Sequence, residues 1–197
     1  ILAYIGRRDL LALSNTYGDN LKLQEENAER LKKVAWLRNG QSELAEQVLG
    51  QLTLNTLGRN VLQFFAQYLG SVVAAVYVRQ EHGGLKRVAS YGFSREQEQH
   101  EQSIYSGEGI IGQAAQQDQV IRLDHVPSEY FKVSSGLGEG LPHSVLVVPT
   151  SDDEHVNGVI ELGFLRPLND RDIELLELIA SNIGTSIEAA RYRQRLQ

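Results

Sequence analysis

The glycine string Gly107-Glu108-Gly109-Ile110-Ile111-Gly112 is the first group of residues whose spacing has a chemical meaning. It matches the G-x-G-x-x-G turn that holds a dinucleotide pyrophosphate, and Asp124 follows where a ribose-binding acid would stand. That turn requires a buried strand before its first glycine, whereas residues 100–103 are polar, and the interval to Asp124 is too short for a full crossover helix. We therefore interpret the string as a turn that opens a short helix, with glycines supplying positive φ and close packing.

The other polar motifs do not combine into a catalytic or metal site. The chain has no cysteine, so it offers no thiol nucleophile, cysteine zinc site, disulfide or thioether-linked pigment. His82-Gly83-Gly84 lacks a G-x-S-x-G partner, and Asp152-Asp153-Glu154 lacks calcium-loop spacing, so both are predicted to be turns. His100, His125 and His155 lack the spacing of metal ligands. No metal is predicted, and the cofactor is unknown because the sequence requires none.

The segment from Asp124 to Leu141 is the best candidate for a binding site. It is a long irregular connection that carries aromatic and hydroxyl side chains together with glycines. Such a segment either roofs a small-molecule pocket or forms a packed cap without a ligand, and the sequence leaves both open. The candidate pocket residues are Tyr77, Tyr91, Ile110, His125, Tyr130, Phe131, Ser134 and Ser135.

Composition excludes two kinds of partner. The net charge of -6 and the absence of a basic stripe give no electrostatic reason to bind nucleic acid. The longest apolar run, residues 72–78, is far shorter than the roughly 20 residues of a membrane span, so this fragment is predicted to make no membrane contact. Because the chain opens at Ile1 and ends within a helical pattern, we expect it to be a segment of a longer parent protein.

The first 50 residues are helical in pattern and carry a weak heptad repeat. Gly18 and Gly40 interrupt it, which predicts one or two helices rather than one rigid rod. A second helix fits residues 54–69, and a last helix begins after the cap residue Asn169. The candidate dimer stem comprises seam residues of the first and last helices: Leu21, Ala28, Leu31, Ala35, Leu176, Ala180, Ile183, Ile187 and Ala190.

Between these helices the composition changes to that of β-strands. The predicted strands are residues 71–79, 85–91, 119–124, 144–149 and 156–165, and a short helix lies near residues 109–117. Tight turns between consecutive strands favour an antiparallel sheet. The prediction is an α+β domain with a central antiparallel sheet of five or six strands and the N- and C-terminal helices packed on one face.

Three strings then suggest a family: SGEGIIGQAAQQDQVIRLDHVP, SVLVVPTSDDEHVNGVIELGFLRPL and DIELLELIASNIGTSIEAAR. Together they resemble the GAF domain of bacterial sensor and hybrid histidine kinases over residues 36–191. The resemblance implies a GAF/PAS-like fold, with a signalling helix at 1–40, the GAF domain at 41–190 and a linker helix at 191–197. It also implies a cytoplasmic segment, whose parent is compatible with an inner-membrane anchor.

Several activities of the family do not carry over. The N-K-F-D-E signature of cyclic-nucleotide binding is missing, and bilin attachment and methionine-sulfoxide reduction both need cysteine. Haem ligation would require His125. The resemblance therefore implies a non-catalytic relay that forms a homodimer and signals to a kinase domain in the same parent chain. The alternatives are a small-molecule-binding GAF domain of another signalling protein, with an unknown ligand, and an enzyme using carboxylates or histidine in the same cleft.

Overall fold

The computed structural model describes residues 2–99, 103–127, 133–136 and 138–196, with side chains from residue 6 onward. The chain divides into two compact units, residues 1–39 and residues 40–197. The helices are α1 (Leu2–Gln47), α2 (Leu54–Tyr68), α3 (Arg95–Gln99), α4 (Gly109–Gln117) and α5 (Asp170–Arg195). The strands are β1 (Val73–Arg79), β2 (Leu85–Tyr91), β3 (Ser103–Ile104), β4 (Ile121–Leu123), β5 (Val133–Ser135), β6 (Gly138–Gly140), β7 (Ser144–Ser151) and β8 (Val156–Phe164).

Six strands form one antiparallel sheet in the order β3-β2-β1-β8-β7-β4, and β5 and β6 form a separate hairpin. The predicted α+β class and strand count are confirmed. The hairpins β1–β2 and β7–β8 place consecutive strands side by side, as short turns require. Strands β7 and β8 are buried along nearly their whole length, because helices cover both faces of the sheet there.

Helix α1 is a single helix that continues through Gly18 and Gly40, within the predicted range of one or two helices. A glycine inside a helix costs only about 1 kcal/mol relative to alanine, which a long helix tolerates. Within residues 6–39 the predicted seam residues Leu21, Ala28, Leu31 and Ala35 are all exposed to solvent.

Helices α2 and α5 cover one face of the sheet. Helix α2 packs on β1 and β2, and α5 packs on β7 and β8. The approach of α2 is close, since a Cβ added to Gly58 would lie 2.8 Å from the Cβ of Ala89. The final turns of α1 belong to the same unit, where Leu44 is fully buried and Gly40 packs against Leu175 and Tyr68. Aromatic and aliphatic side chains of α2 fill the layer between helices and sheet, with Phe65 fully buried.

The apolar stripe of α5 lies in this core, which corrects the prediction that it forms a dimer stem. Leu176, Ile183, Ile187 and Ala190 are 1–2% exposed, and Ala180 is partly buried. A spacing of four and three residues suits a helix lying on a sheet as well as a coiled-coil partner, so the sequence pattern alone does not distinguish the two. The sheet of the same chain covers the stripe.

A buried ion pair fixes the start of α5. Asp172, whose side chain is 1% exposed, receives two hydrogen bonds from the Arg166 guanidinium at 2.7 and 3.2 Å and one from the Asn169 backbone N–H at 2.9 Å. Arg166 also donates to the Leu69 carbonyl at 2.9 Å, at the end of α2. The predicted cap at Asn169 is confirmed, and this one pair ties the start of α5 to the end of α2.

Candidate functional site

The face of the sheet opposite α2 and α5 carries a second apolar cluster. Side chains from β1, β7 and β8 pack there against α4: Ala75, Tyr77, Val145, Val147, Val159, Ala114 and Ala115. Partly buried residues of the connecting segments surround them, including Phe93, Ile104, Ile110, Ile121, Leu123 and Val126. Two of the candidate pocket residues, Tyr77 and Ile110, lie on this face.

The glycine string positions α4 over this face, and our interpretation of it as a helix-opening turn is confirmed. Gly107 and Gly109 have φ values of +83° and +61°, and α4 begins at Gly109. The Gly107 N–H donates to the Gly112 carbonyl at 2.9 Å, while a Cβ at Gly112 would overlap the carbonyl oxygen of Tyr105. The turn therefore serves packing, and the strand before it is the two-residue edge strand β3.

A polar group lies within this apolar face. Glu161 is 7% exposed and stands in register between Ala75 of β1 and Val147 of β7. Tyr77 is 6% exposed and stands opposite Arg87, whose guanidinium donates a hydrogen bond to the phenol. Burial, and then the Glu161 carboxylate, raise the pKa of the Tyr77 phenol well above its ordinary value, while Arg87 opposes this effect.

Arg87 also connects this group to the segment that follows β2. It donates to the carbonyls of Gln97 and Glu98 at 3.0 and 2.9 Å, at the end of α3, and its guanidinium lies 4.8 Å from the centroid of the Phe93 ring. A buried carboxylate, a buried phenol and a half-buried guanidinium on an apolar surface are the kind of convergent polar groups that orient a small ligand.

Neither Glu161 nor Arg87 was among the site residues predicted from the sequence. A single carboxylate within the apolar stretch 158–164 of β8 was the available signal for Glu161, because an acidic residue is almost never fully buried unless it is paired. Arg87 had no such signal, since its strand contains other polar residues, Lys86 and Ser90.

The predicted pocket residues are only partly brought together. Tyr77 and Ile110 both belong to the cluster. Tyr91 does not: it is 48% exposed and stands opposite Ala74, on the face that carries α2. Successive residues of a strand point to opposite faces, so a difference of one position separates Tyr91 from the cluster.

The remaining predicted residues lie in the connecting segments. His125 is exposed. The Ser134 and Ser135 hydroxyls bond within the β5–β6 hairpin, to the Glu139 carboxylate at 3.2 Å and the Gly138 carbonyl at 3.3 Å. Tyr130 and Phe131 lie outside the described residues.

Both predicted turns are present. The Gln80 N–H donates to the Gly84 carbonyl at 2.7 Å, which closes the β1–β2 hairpin. In the β7–β8 turn the Asp152 carboxylate accepts from the N–H groups of Glu154 and His155, and these bonds lower the pKa of that exposed carboxyl. Over the described part of the chain, no group of three or more histidine and acidic residues is arranged to hold a metal ion.

The layering defines a class of protein: an α+β domain with helices on one face of an antiparallel sheet, and a short helix and loops over a partly polar apolar face on the other. A family model described as GAF domain matches residues 51–188, about seven tenths of the chain. The chain belongs to the GAF domain family. No curated protein matches its sequence significantly.

Solved structures share the fold. The GAF domain of a Coxiella burnetii phosphoenolpyruvate-protein phosphotransferase is 19% identical, with a TM-score of 0.66 over 84% of this chain and 98% of that one. The second GAF domain of DevS from Mycobacterium smegmatis is 21% identical, with a TM-score of 0.57 over 72% and 98%. Free methionine-R-sulfoxide reductase from Neisseria meningitidis, solved with its substrate, is 19% identical, with a TM-score of 0.60 over 82% and 93%.

These identities are low enough that the similarity shows the fold alone. The neighbours include both signalling proteins and an enzyme, so the fold does not by itself decide between those roles. Among the helices of the described residues, none has both the length and the apolar character needed to cross a bilayer.

Proposed function

We propose that this chain is a non-catalytic GAF signalling module that works as a homodimer and relays conformational change to a histidine kinase region of its parent protein. The observation that carries the proposal is the uncovered seam of α1. Leu21 and Leu31 are 43% and 66% exposed, and Tyr17 is 66% exposed, at heptad spacing. A helix of this kind gains stability chiefly by packing its apolar face, here against the same face of a second copy.

The flanking residues of α1 support parallel pairing in register. With Leu21 at an a position and Gln24 at a d position, the charged residues Glu25 and Lys32 occupy e positions. In a parallel pair they would face Asn20 and Asn27 at the g positions of the second copy. No like charges would then stand opposite each other.

The apolar stripe of α5 that the sequence predicted for the dimer stem is buried. The relay therefore requires a different surface of α5 for pairing. The outward face of α5 has its own heptad spacing, and all of its members are exposed: Leu178, Asn182, Thr185, Ala189, Tyr192 and Leu196. This seam carries the polar residues Asn182 and Thr185 at adjacent positions, so we propose that it pairs more weakly than the seam of α1. A weakly paired helix that continues toward an output region is suited to a two-state shift.

Sedimentation equilibrium of the 197-residue chain tests the pairing. We expect a mass of twice the 22.0 kDa of one chain, and a shift to the single-chain mass for the variant Leu21→Lys/Leu31→Lys. Leu23→Lys is the matched control, because Leu23 is also exposed but lies at a c position away from the seam. A wild-type chain that remains a monomer at high micromolar concentration would rule out the proposal.

A second candidate function, binding of a small molecule, rests on the burial of Glu161. A carboxylate on an apolar face would recognise a ligand that presents a hydrogen-bond donor or a positive charge. We expect a metabolite panel to contain a compound that raises the melting temperature of the wild type and is retained in native mass spectrometry. The Glu161→Gln variant should lose that shift, whereas His125→Gln, an exposed site, should keep it. If no compound in the panel stabilises the wild type, small-molecule binding is refuted and the relay remains the only proposed function.

A further inference from the structure

A cleft away from the Glu161 face has a strongly basic lining. It encloses about 290 Å³, and its walls include Arg79 and the hairpin residue Glu81, Leu54 of α2, and Arg191 and Arg195 of α5. Three guanidinium groups and one carboxylate therefore line a cleft on a chain whose net charge is -6.

Neutral groups hold one of these arginines in place. Arg79 donates from Nε to the Val156 carbonyl at 2.7 Å and from Nη1 to the Gly83 carbonyl at 3.5 Å. Carbonyl partners fix the direction of the guanidinium without neutralising its charge. Arg79 thus presents a positioned positive charge to the cleft.

The two arginines of α5 complete the wall. The Arg191 side chain is 17% exposed and is positioned by Glu188, which accepts from its Nη1 at 2.7 Å. Arg195 has only a long contact, 3.7 Å from its Nε to the Glu81 carboxylate, and both of these side chains are largely exposed. An anion that entered the cleft would therefore compete with Glu81 for Arg195 and not with a buried partner.

The third wall is the first turn of α2. Leu54 is the first residue of this 15-residue helix, whose first turn contains no acidic side chain. The positive end of its dipole therefore lies beside the cleft, without a carboxylate in the first turn to offset it. Donors and positive charge thus reach the cleft from three elements, the β1–β2 hairpin, α2 and α5.

We propose that this cleft binds a phosphoryl anion, either free or as part of a small phosphorylated molecule. Groups arriving from three directions match a tetrahedral dianion, whereas a planar carboxylate is satisfied by one guanidinium fork. The volume exceeds that of a single oxyanion and leaves room for an organic substituent. Binding would clamp the last turns of α5 to the hairpin, at the end of the helix that the relay uses.

Titration calorimetry of the 197-residue chain with sodium pyrophosphate, at neutral pH and constant ionic strength, tests the site. We expect saturable binding with one site per chain. The Arg191→Gln/Arg195→Gln variant should bind at least about tenfold more weakly, since it removes two charge-assisted contacts. Arg30→Gln, which removes an exposed arginine of α1, should bind as the wild type does. Inorganic phosphate and adenosine diphosphate in parallel titrations distinguish a free oxyanion from a larger ligand.

A gain-of-binding variant guards against misfolding of the arginine variant. Glu81→Gln removes the competing carboxylate, whose side chain is 83% exposed, and should tighten pyrophosphate binding several-fold. The absence of saturable binding to the wild type, equal affinity in the double variant, or unchanged affinity in Glu81→Gln would each overturn the proposal. The site does not depend on the proposed function: a chain that dimerises but binds no pyrophosphate refutes the site alone.

Discussion

At the scale of single residues, Tyr77, Glu161 and Arg87 are polar groups on the face of the sheet opposite α2 and α5. Tyr77 and Glu161 are more than nine-tenths buried among aliphatic side chains, where an unpaired polar group is costly. The Arg87 guanidinium bonds the Tyr77 phenol and stands opposite it in the sheet. Glu161 and Arg87 both act on the Tyr77 phenol, so a substitution at either of them should change the pKa of that phenol.

Tyr77→Phe should remove a pH dependence of stability in alkaline solution. The folded phenol has a pKa above its ordinary value of 10.0, so between pH 10 and that raised pKa the unfolded chain releases a proton that the folded chain keeps. The stability contributed by Tyr77 is therefore complete below pH 10 and is lost as the pH rises, by about 1.4 kcal/mol per pH unit. Urea unfolding at several pH values between 8 and about 11.5 measures the slope.

Tyr192→Phe is the control for that measurement. Tyr192 is 63% exposed, so Tyr192→Phe removes a phenol without changing the core. The difference between the two variants isolates the contribution of the buried Tyr77 phenol. Identical slopes in wild type and Tyr77→Phe would contradict a buried, protonated Tyr77.

At the scale of elements, the contact between α5 and the β7–β8 hairpin determines where the last helix lies. A Cβ at Gly184 would overlap the backbone of Ser151, so the helix rests directly on the end of β7. Beside it the buried Asn157 amide donates to the Gly184 carbonyl at 2.8 Å and accepts from the Thr150 hydroxyl at 3.2 Å. Polar bonds at a backbone-to-backbone contact fix the register of α5 on the sheet.

Two glycine substitutions inside helices should therefore have opposite effects. Gly184→Ala should destabilise the domain by about 3 kcal/mol, because overpacking must push α5 away from the sheet. Gly18→Ala in α1, where a Cβ would meet nothing within 4 Å, should instead stabilise its helix by about 0.5–1 kcal/mol. Urea unfolding followed by circular dichroism measures the change in the free energy of unfolding for both variants. Equal changes would show that helix propensity, and not the contact of Gly184 with Ser151, determines the effect.

At the scale of the whole molecule, the two units have different physical support. The buried hydrophobic residues of the described chain all lie at Leu44 or beyond, so the GAF unit has its own core. Residues 6–39 contribute no buried hydrophobic residue, so the stability of this part of α1 depends on a partner that covers its exposed seam. One face of α5 packs in the core and the other is exposed to solvent. A partner can therefore reach only the residues of the exposed face.

Lysine substitutions on the two faces of α5 should separate these roles. Ile183→Lys places a charge in the core and should cost more than about 4 kcal/mol, enough to unfold a domain of ordinary stability. Leu178→Lys, at a position that is 42% exposed, should leave the free energy of unfolding within about 0.5 kcal/mol of the wild type. Thermal melts of dilute samples measure both. A folded Ile183→Lys variant would contradict the burial of the apolar stripe of α5 and would indicate that this stripe is exposed to solvent.

Most elements could be predicted from the sequence because their signals are local. Helix α4 begins and ends at the predicted residues, and β2 has its predicted bounds. The start of α5 follows from the cap at Asn169, whose partner Asp172 lies only three residues away. The β5–β6 hairpin was missed, because Val133–Ser135 and Gly138–Gly140 have weak strand propensity and pair with each other rather than with the main sheet.

By itself, the sequence determined the α+β class, the order of five of the strands and of the main helices, the turns and the absence of thiol chemistry, since each depends on residue type or on spacing within a few positions. Only the tertiary structure decided which side of each element is covered. The stripe of α5 is buried by strands that are adjacent in space, Tyr91 is separated from Tyr77 by strand register, and Glu161 and the basic cleft arise from residues far apart in the chain. Periodicity shows that a face is apolar, but the surface that buries it is a property of the folded chain.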